Sequence, residues 1–220
     1  MANKSLGTLR SSAIASLDDS VELTARAETW HARLRHNKTA RMTNSHFNQL
    51  IELAFLRTFL TWEAFLEEAF TLYLLGNATS GGYQPFKYVA PVDRQHAGDL
   101  MLAEARHVDW TAPDRVIQRA NRFFKSGGPF VTGIRPRIQV LNNMKTIRNA
   151  ITHASSDASE KFKVLVRNEL TYYPLRMTPG GFLVAVKPNS VPPTTYFTLY
   201  TNHLRTMVEM IIPIKQRRSK

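Results

Sequence analysis

The 220-residue chain has no cysteine. That absence excludes disulfides, thiolate nucleophiles and thiolate zinc ligands together, so any metal would need histidine and carboxylate donors. Long hydrophobic runs are missing too. The most apolar stretches, "AFTLYLL" at 69–75 and "MIIPI" at 210–214, fall well short of the ~20 residues that a membrane span requires. Residues 1–10 carry no apolar run of signal-peptide length. The expectation is a cytoplasmic protein with no membrane attachment. The third shortage is of acid: residues 115–156 contain not one Asp or Glu.

The charge that is present is strongly positive. The formal net charge is +12 and the pI about 10.2, and the usual reason for such an imbalance is a polyanionic partner whose phosphates Lys and Arg neutralise. Within the acid-free segment, Arg115, Arg119, Arg122, Lys125, Arg135, Arg137, Lys145 and Arg148 carry eight of those twelve charges. Arg115, Arg119 and Arg122, spaced i, i+4, i+7, fall on one helix face where they can track a phosphate backbone; an ordinary solvated face accounts for them equally well.

Apolar spacing predicts helices almost throughout. A first helix covers 5–36, with Leu6, Leu9, Ala13, Leu17 and Val21 on one side. A second begins at a cap supplied by Asn44 or Ser45 and stops at Gly76, its core stripe being Phe55, Phe59, Trp62, Leu66, Ala69 and Tyr73. A small helix lies within 93–106, and another starts at Pro113 and Asp114 and ends at Gly127 and Gly128. Helical text resumes near Pro136 and runs through "IRNAITHA" into "DASEKFKVLVRNEL". The 174–199 stretch could hold a short β-hairpin around Gly180–Gly181, where "FLVAV" has strand-like composition. A last helix precedes a basic tail. The fold class expected is all-α, an up-and-down bundle of about five or six helices, forming a single domain over 1–212 with a disordered tail at 213–220.

One short stretch, "KTIRNAITHASS" at 145–156, concentrates candidate chemistry. Arg followed five positions later by His occurs three times, at Arg26–His31, Arg41–His46 and Arg148–His153, so the spacing alone carries little weight. On a continuous helix Arg148 and His153 lie roughly 140° apart, whereas Asn149 and His153 share a face and can pair through their side chains; Lys145 sits one turn earlier on that face. Arg148 joins them only if the helix ends near Thr152 or a second copy of the motif faces it. A helix C-terminus that simply favours cations explains Lys145, Arg148 and His153 without chemistry.

The stretch "IRNAITHAS" resembles the signature of the HEPN superfamily, an Arg, a polar residue and a His at the end of a helix. Further blocks, "FLRTFLTWEAFLEEAF" (55–70), "APVDRQHAGDLMLAEARHVDW" (90–110), "VIQRANRFFKSGGPF" (116–130) and "IRNAITHASSDASEKF" (147–162), look like its bacterial branch related to RiboL-PSP-HEPN proteins. The resemblance covers most of 45–165. It implies a HEPN-like helical domain, a homodimer whose two signatures face one cleft, and cofactor-free endoribonuclease activity, often in toxin–antitoxin or phage-defence systems with a partner protein. Arg148, Asn149 and His153 would then be catalytic, and Lys145, Arg115, Arg119 and Arg122 would bind RNA. Where some members carry a Tyr two residues after the signature His, Ser155 stands here.

That chemistry suits these residue types. Attack of a ribose 2′-hydroxyl on the adjacent phosphorus needs a base, an acid and positive charge, but no metal. Histidine exchanges its proton near neutral pH, and Arg can hold phosphorane oxygens by paired hydrogen bonds. One alternative is a HEPN scaffold that binds RNA or protein without cutting. A remoter one is a di-iron bundle built on Glu28–His31 and Glu104–His107 with Glu63 or Glu67, although the acid-free segment offers no carboxylate to complete it.

Overall fold

Helix α2 (Asn44–Leu74) shows how the sequence builds its core. Phe55, Phe59, Trp62, Leu66, Ala69 and Tyr73, the stripe expected from spacing, are all at most 3% exposed. In this computed structural model, which describes residues 5–102 and 108–214, the helix is capped one residue earlier than expected. The Thr43 hydroxyl accepts the His46 N–H at 3.2 Å, and Asn44 turns its side chain instead to His31, with Oδ1 2.9 Å from Nε2. At the other end Gly76 takes a left-handed φ of 86° as expected. Lys87 Nζ then donates to the Leu74 carbonyl at 2.5 Å, which satisfies a terminal acceptor.

The other helices are α1 (Leu6–Leu34), α3 (Arg94–Leu102), α4 (Pro113–Phe123), α5 (Gly128–Ile134), α6 (Ile138–Thr152), α7 (Ser156–Leu170), α8 (Pro179–Val184) and α9 (Tyr196–Ile211). Among the described residues there is no strand or sheet, and the fold is all-α. None of the described helices is long and apolar enough to cross a membrane. Glu104, His107 and the basic residues 215–220 lie outside the described residues.

The chain divides into two compact units, and α1, α2, α6 and α9 each give residues to both. The first is drawn from Met1–Ala15, Thr61–Leu141 and Leu204–Lys220. Its centre is aromatic: Phe70 packs on Phe130, with ring centroids 3.9 Å apart, and on Trp110 and Phe124. Tyr73 joins the same cluster and donates its hydroxyl to the Ile211 carbonyl at 2.7 Å. α4 ends at Phe123, earlier than the sequence suggested, because Phe124 is extended (φ −125°, ψ 144°); Ser126, Gly127 and Gly128 then turn the chain with φ of 54°, 73° and 51°. A Cβ on Gly127 would stand 2.0 Å from Val131 Cγ2, so only glycine fits this corner, and α5 follows as a separate short helix.

The second unit comprises Ser16–Leu60 and Asn142–His203. Here the hairpin expected around Gly180–Gly181 is replaced by α8. Thr178 caps that helix by accepting the Gly181 N–H at 3.0 Å, and Pro179 presets its first turn. A Cβ on Gly180 would lie 2.3 Å from the Asn48 carbonyl oxygen, so the glycine lets α8 settle directly on the α2 backbone. Phe182 then stacks on Tyr196 at 4.3 Å. Antiparallel pairing survives only as a single bridge farther on, between Val186 and Thr195. Strand-like composition in "FLVAV" yields to a good cap and a tertiary fit.

Glu52 also serves this junction by accepting the Gly180 N–H at 2.9 Å. Burial pushes its carboxyl above the ordinary value of 4.5, and the bond from Gly180 only partly opposes that shift. An acid raised in the folded state contributes stability below its unfolded value, and that contribution is lost as pH rises through the folded value. Glu52→Gln keeps the accepting oxygen without the ionisation. Relative to wild type it should therefore gain a small margin of stability between pH ~4 and pH ~7. Urea unfolding at both pH values checks this, and a pH-independent difference would disprove it.

Candidate functional site

α6 is anchored by Leu141, Met144 and Ile147, all at most 3% exposed. This leaves Lys145, Arg148 and Asn149 half-buried on its flank. The helix ends where the motif needs it to end. Thr152 donates its hydroxyl to the Arg148 carbonyl at 3.0 Å, the His153 N–H reaches the Asn149 carbonyl at 2.9 Å, and the helix goes no farther. Ser155 is already the cap of α7, its hydroxyl accepting the Ala158 N–H at 3.2 Å. A connection of residues 153–155 therefore joins the two helices, with His153 exposed on it.

The guanidinium of Arg148 is the hub of the cluster. Its Nη1 donates to Asn149 Oδ1 at 3.2 Å and approaches His153 Nε2 at 3.4 Å. A guanidinium can only donate, so Nε2 is the acceptor in this contact and the ring carries its proton on Nδ1. Of the two arrangements the sequence left open, the one that needs a helix end near Thr152 is realised: Arg148 contacts the imidazole, and Asn149 holds Arg148 rather than His153. The reason is the helix end, which frees His153 from the α6 face and lets the long arginine side chain reach it.

Arg115, Arg119 and Arg122 lie along α4, in the first unit, and line one cleft of about 290 Å³ with Met101, Leu102, Gln118 and Phe123. Their environments differ. Arg115 pairs with Asp109 at 3.5 Å. Arg119 lies 4.8 Å above the Trp110 ring and donates to the Asp109 carbonyl at 3.4 Å. Burial lowers the affinity of Arg119 for its proton, which the Asp109 charge opposes and Arg115 reinforces. Its role is thus partly to hold the segment before α4 in place. Arg122 is exposed.

On the remaining candidates the structure is specific for His31, whose ring stacks on Phe47 at 4.5 Å as well as meeting Asn44. Burial raises the Glu28 carboxyl. Among the described residues no group of three or more His, Asp or Glu side chains is gathered as a metal ion would require. The sequence marks Thr152 as a candidate helix end and Ser155 beside the signature, but not the hydroxyl bonds by which they shape that end; the signal was a hydroxyl residue on each side of the signature His, with Asp157 in the next first turn. No protein-family model matches the chain, nor does any curated protein or solved structure, so the reading of this site rests on its own residues.

Proposed function

We propose that the protein is a metal-independent endoribonuclease of HEPN type, acting as a homodimer in the cytoplasm. The observation that supports this best is the hydrogen-bonded cluster of Arg148, Asn149 and His153 at an exposed helix end, set in a segment without acids. A phosphodiester entering there meets a guanidinium already held by Asn149. Its charged oxygens outcompete the 3.4 Å contact to the imidazole, since charge-assisted bonds to Arg are shorter and stronger. Drawing Arg148 onto the phosphate releases the Nε2 lone pair.

The freed nitrogen then takes the proton from the ribose 2′-hydroxyl as that oxygen attacks phosphorus. The bond from phosphorus to the 5′-oxygen breaks, a second histidine ring, present as the imidazolium, gives its proton to the leaving oxygen and becomes neutral, and the product ends in a 2′,3′-cyclic phosphate. In this reading His153 of each protomer takes one of the two roles. Only RNA carries the internal nucleophile. The biological setting is a toxin or phage-defence effector, held in check by an antitoxin or other partner protein.

The test is cleavage of a mixed cellular RNA pool by the purified protein in EDTA. New ends bearing 2′,3′-cyclic phosphate are expected. RNA that stays intact across all substrates would refute the proposal.

A further inference from the structure

The segment after α2 is fastened on both sides. Gln84 Nε2 donates to the Gly76 carbonyl at 2.7 Å and Lys87 Nζ to the Leu74 carbonyl at 2.5 Å. Across from it, the Lys125 N–H donates to the Phe86 carbonyl and the Tyr88 N–H to the Phe123 carbonyl, each at 2.9 Å. Lys87 and Phe124 thus oppose one another in an antiparallel bridge. In extended backbone alternate side chains take opposite faces, so Phe86 and Tyr88 share the face away from Lys87.

A ribbon with one covered face normally turns its apolar residues inward and its charges outward. This one is reversed. Lys87 is turned in to cap α2, while Phe86 and Tyr88 remain 66% and 57% exposed, with ring centroids 5.8 Å apart and planes at 74°. Two aromatic rings are held in water on pinned backbone, which forgoes the free energy of burying them. Two exposed cations sit on the chain that pairs with this segment: the Lys125 N–H bonds the Phe86 carbonyl, and Arg122 directly precedes Phe123, whose carbonyl bonds the Tyr88 N–H.

We propose that Phe86 and Tyr88, with Arg122 and Lys125, form a binding site for single-stranded RNA, an inference that rests on the reading of the protein as an RNA enzyme. Bases stack on the rings and phosphates lie against the cations, the combination by which single strands are held without reading their sequence. A duplex does not fit, because its base faces are already stacked. A second copy of the chain fits poorly, since a symmetric contact here would bring like charges together and interface cores are depleted in Lys.

The test uses a fluorescent 2′-O-methyl RNA of about a dozen nucleotides, which has no free hydroxyl and cannot be cut. Binding is read by anisotropy for the wild type, the Phe86→Ala/Tyr88→Ala variant, the aromatic-retaining Phe86→Trp and Tyr88→Phe, and Arg122→Ala/Lys125→Ala. Loss of each ring should weaken binding about fivefold or more, while the aromatic replacements bind like wild type. The charge variant should flatten the salt dependence by about 0.7 in slope per lost phosphate contact. Binding by the double alanine variant within about twofold of wild type would overturn the site, as would a wild type that cuts RNA yet fails to hold this strand. A change in solution mass of the double alanine variant would overturn it in favour of an interface between copies. If ring-dependent binding is found without any cleavage of ordinary RNA, the site stands and the nuclease reading falls.

Discussion

His153→Ala should cut RNA about 10²–10⁴-fold more slowly than the wild type in EDTA, the usual contribution of a positioned proton-transfer group. The side chain has little structural duty to confuse the result. It is exposed, and the side-chain contact it makes is with Arg148 Nη1 at 3.4 Å. The backbone bond that closes α6, from the His153 N–H to the Asn149 carbonyl, survives the substitution, and Ser155 still caps α7. Melting temperature should stay within a degree or two of wild type, as is usual when a surface side chain is removed. Partial recovery of the rate on adding free imidazole would separate lost proton transfer from lost shape. Cleavage at the wild-type rate would remove His153 from the mechanism. Expression in a host offers an independent readout: the wild type should slow growth and His153→Ala should not.

How far the sequence exposes such features depends on the range of the forces behind them. The α2 stripe from Phe55 to Tyr73 is legible because burying one face of a long helix is a periodic demand that the chain must satisfy locally. The Gly180–Gly181 stretch misleads because its conformation is decided by Asn48 and Glu52, about 130 residues away, and the Thr178 cap outweighs the strand-like composition that follows. The motif's residues are legible but their partners are not. Spacing on an endless helix pairs Asn149 with His153, whereas the real helix stops at Thr152 because Ser155 starts the next one. Of the three α4 arginines, spacing fixes the face they share but cannot reveal that Trp110, in the preceding connection, engages Arg119. Phe86 and Tyr88 become conspicuous only once Phe123 and Lys125 are seen to pair beside them.

Arg148→Ala should lower the cleavage rate about 10²–10³-fold, the effect of losing one well-placed donor to the developing charge. Two comparisons separate that role from simple phosphate binding. Arg148→Lys keeps the charge but not the planar pair of donors, so substrate binding should persist while the rate stays low. Asn149→Ala removes the oxygen that holds Nη1 at 3.2 Å, and an intermediate loss is expected from a guanidinium that is present but no longer aimed. Asn149→Asp is the sharper probe. A carboxylate in the same place would bind the guanidinium more tightly than the amide does, compete with the substrate phosphate for it, and add repulsion against that phosphate. The aspartate variant should therefore be slower than the alanine variant, although it is the closer match in shape. The opposite order would mean that an acceptor oxygen at position 149 is what the site needs, and that a tighter hold on the Arg148 guanidinium does not compete with the substrate phosphate.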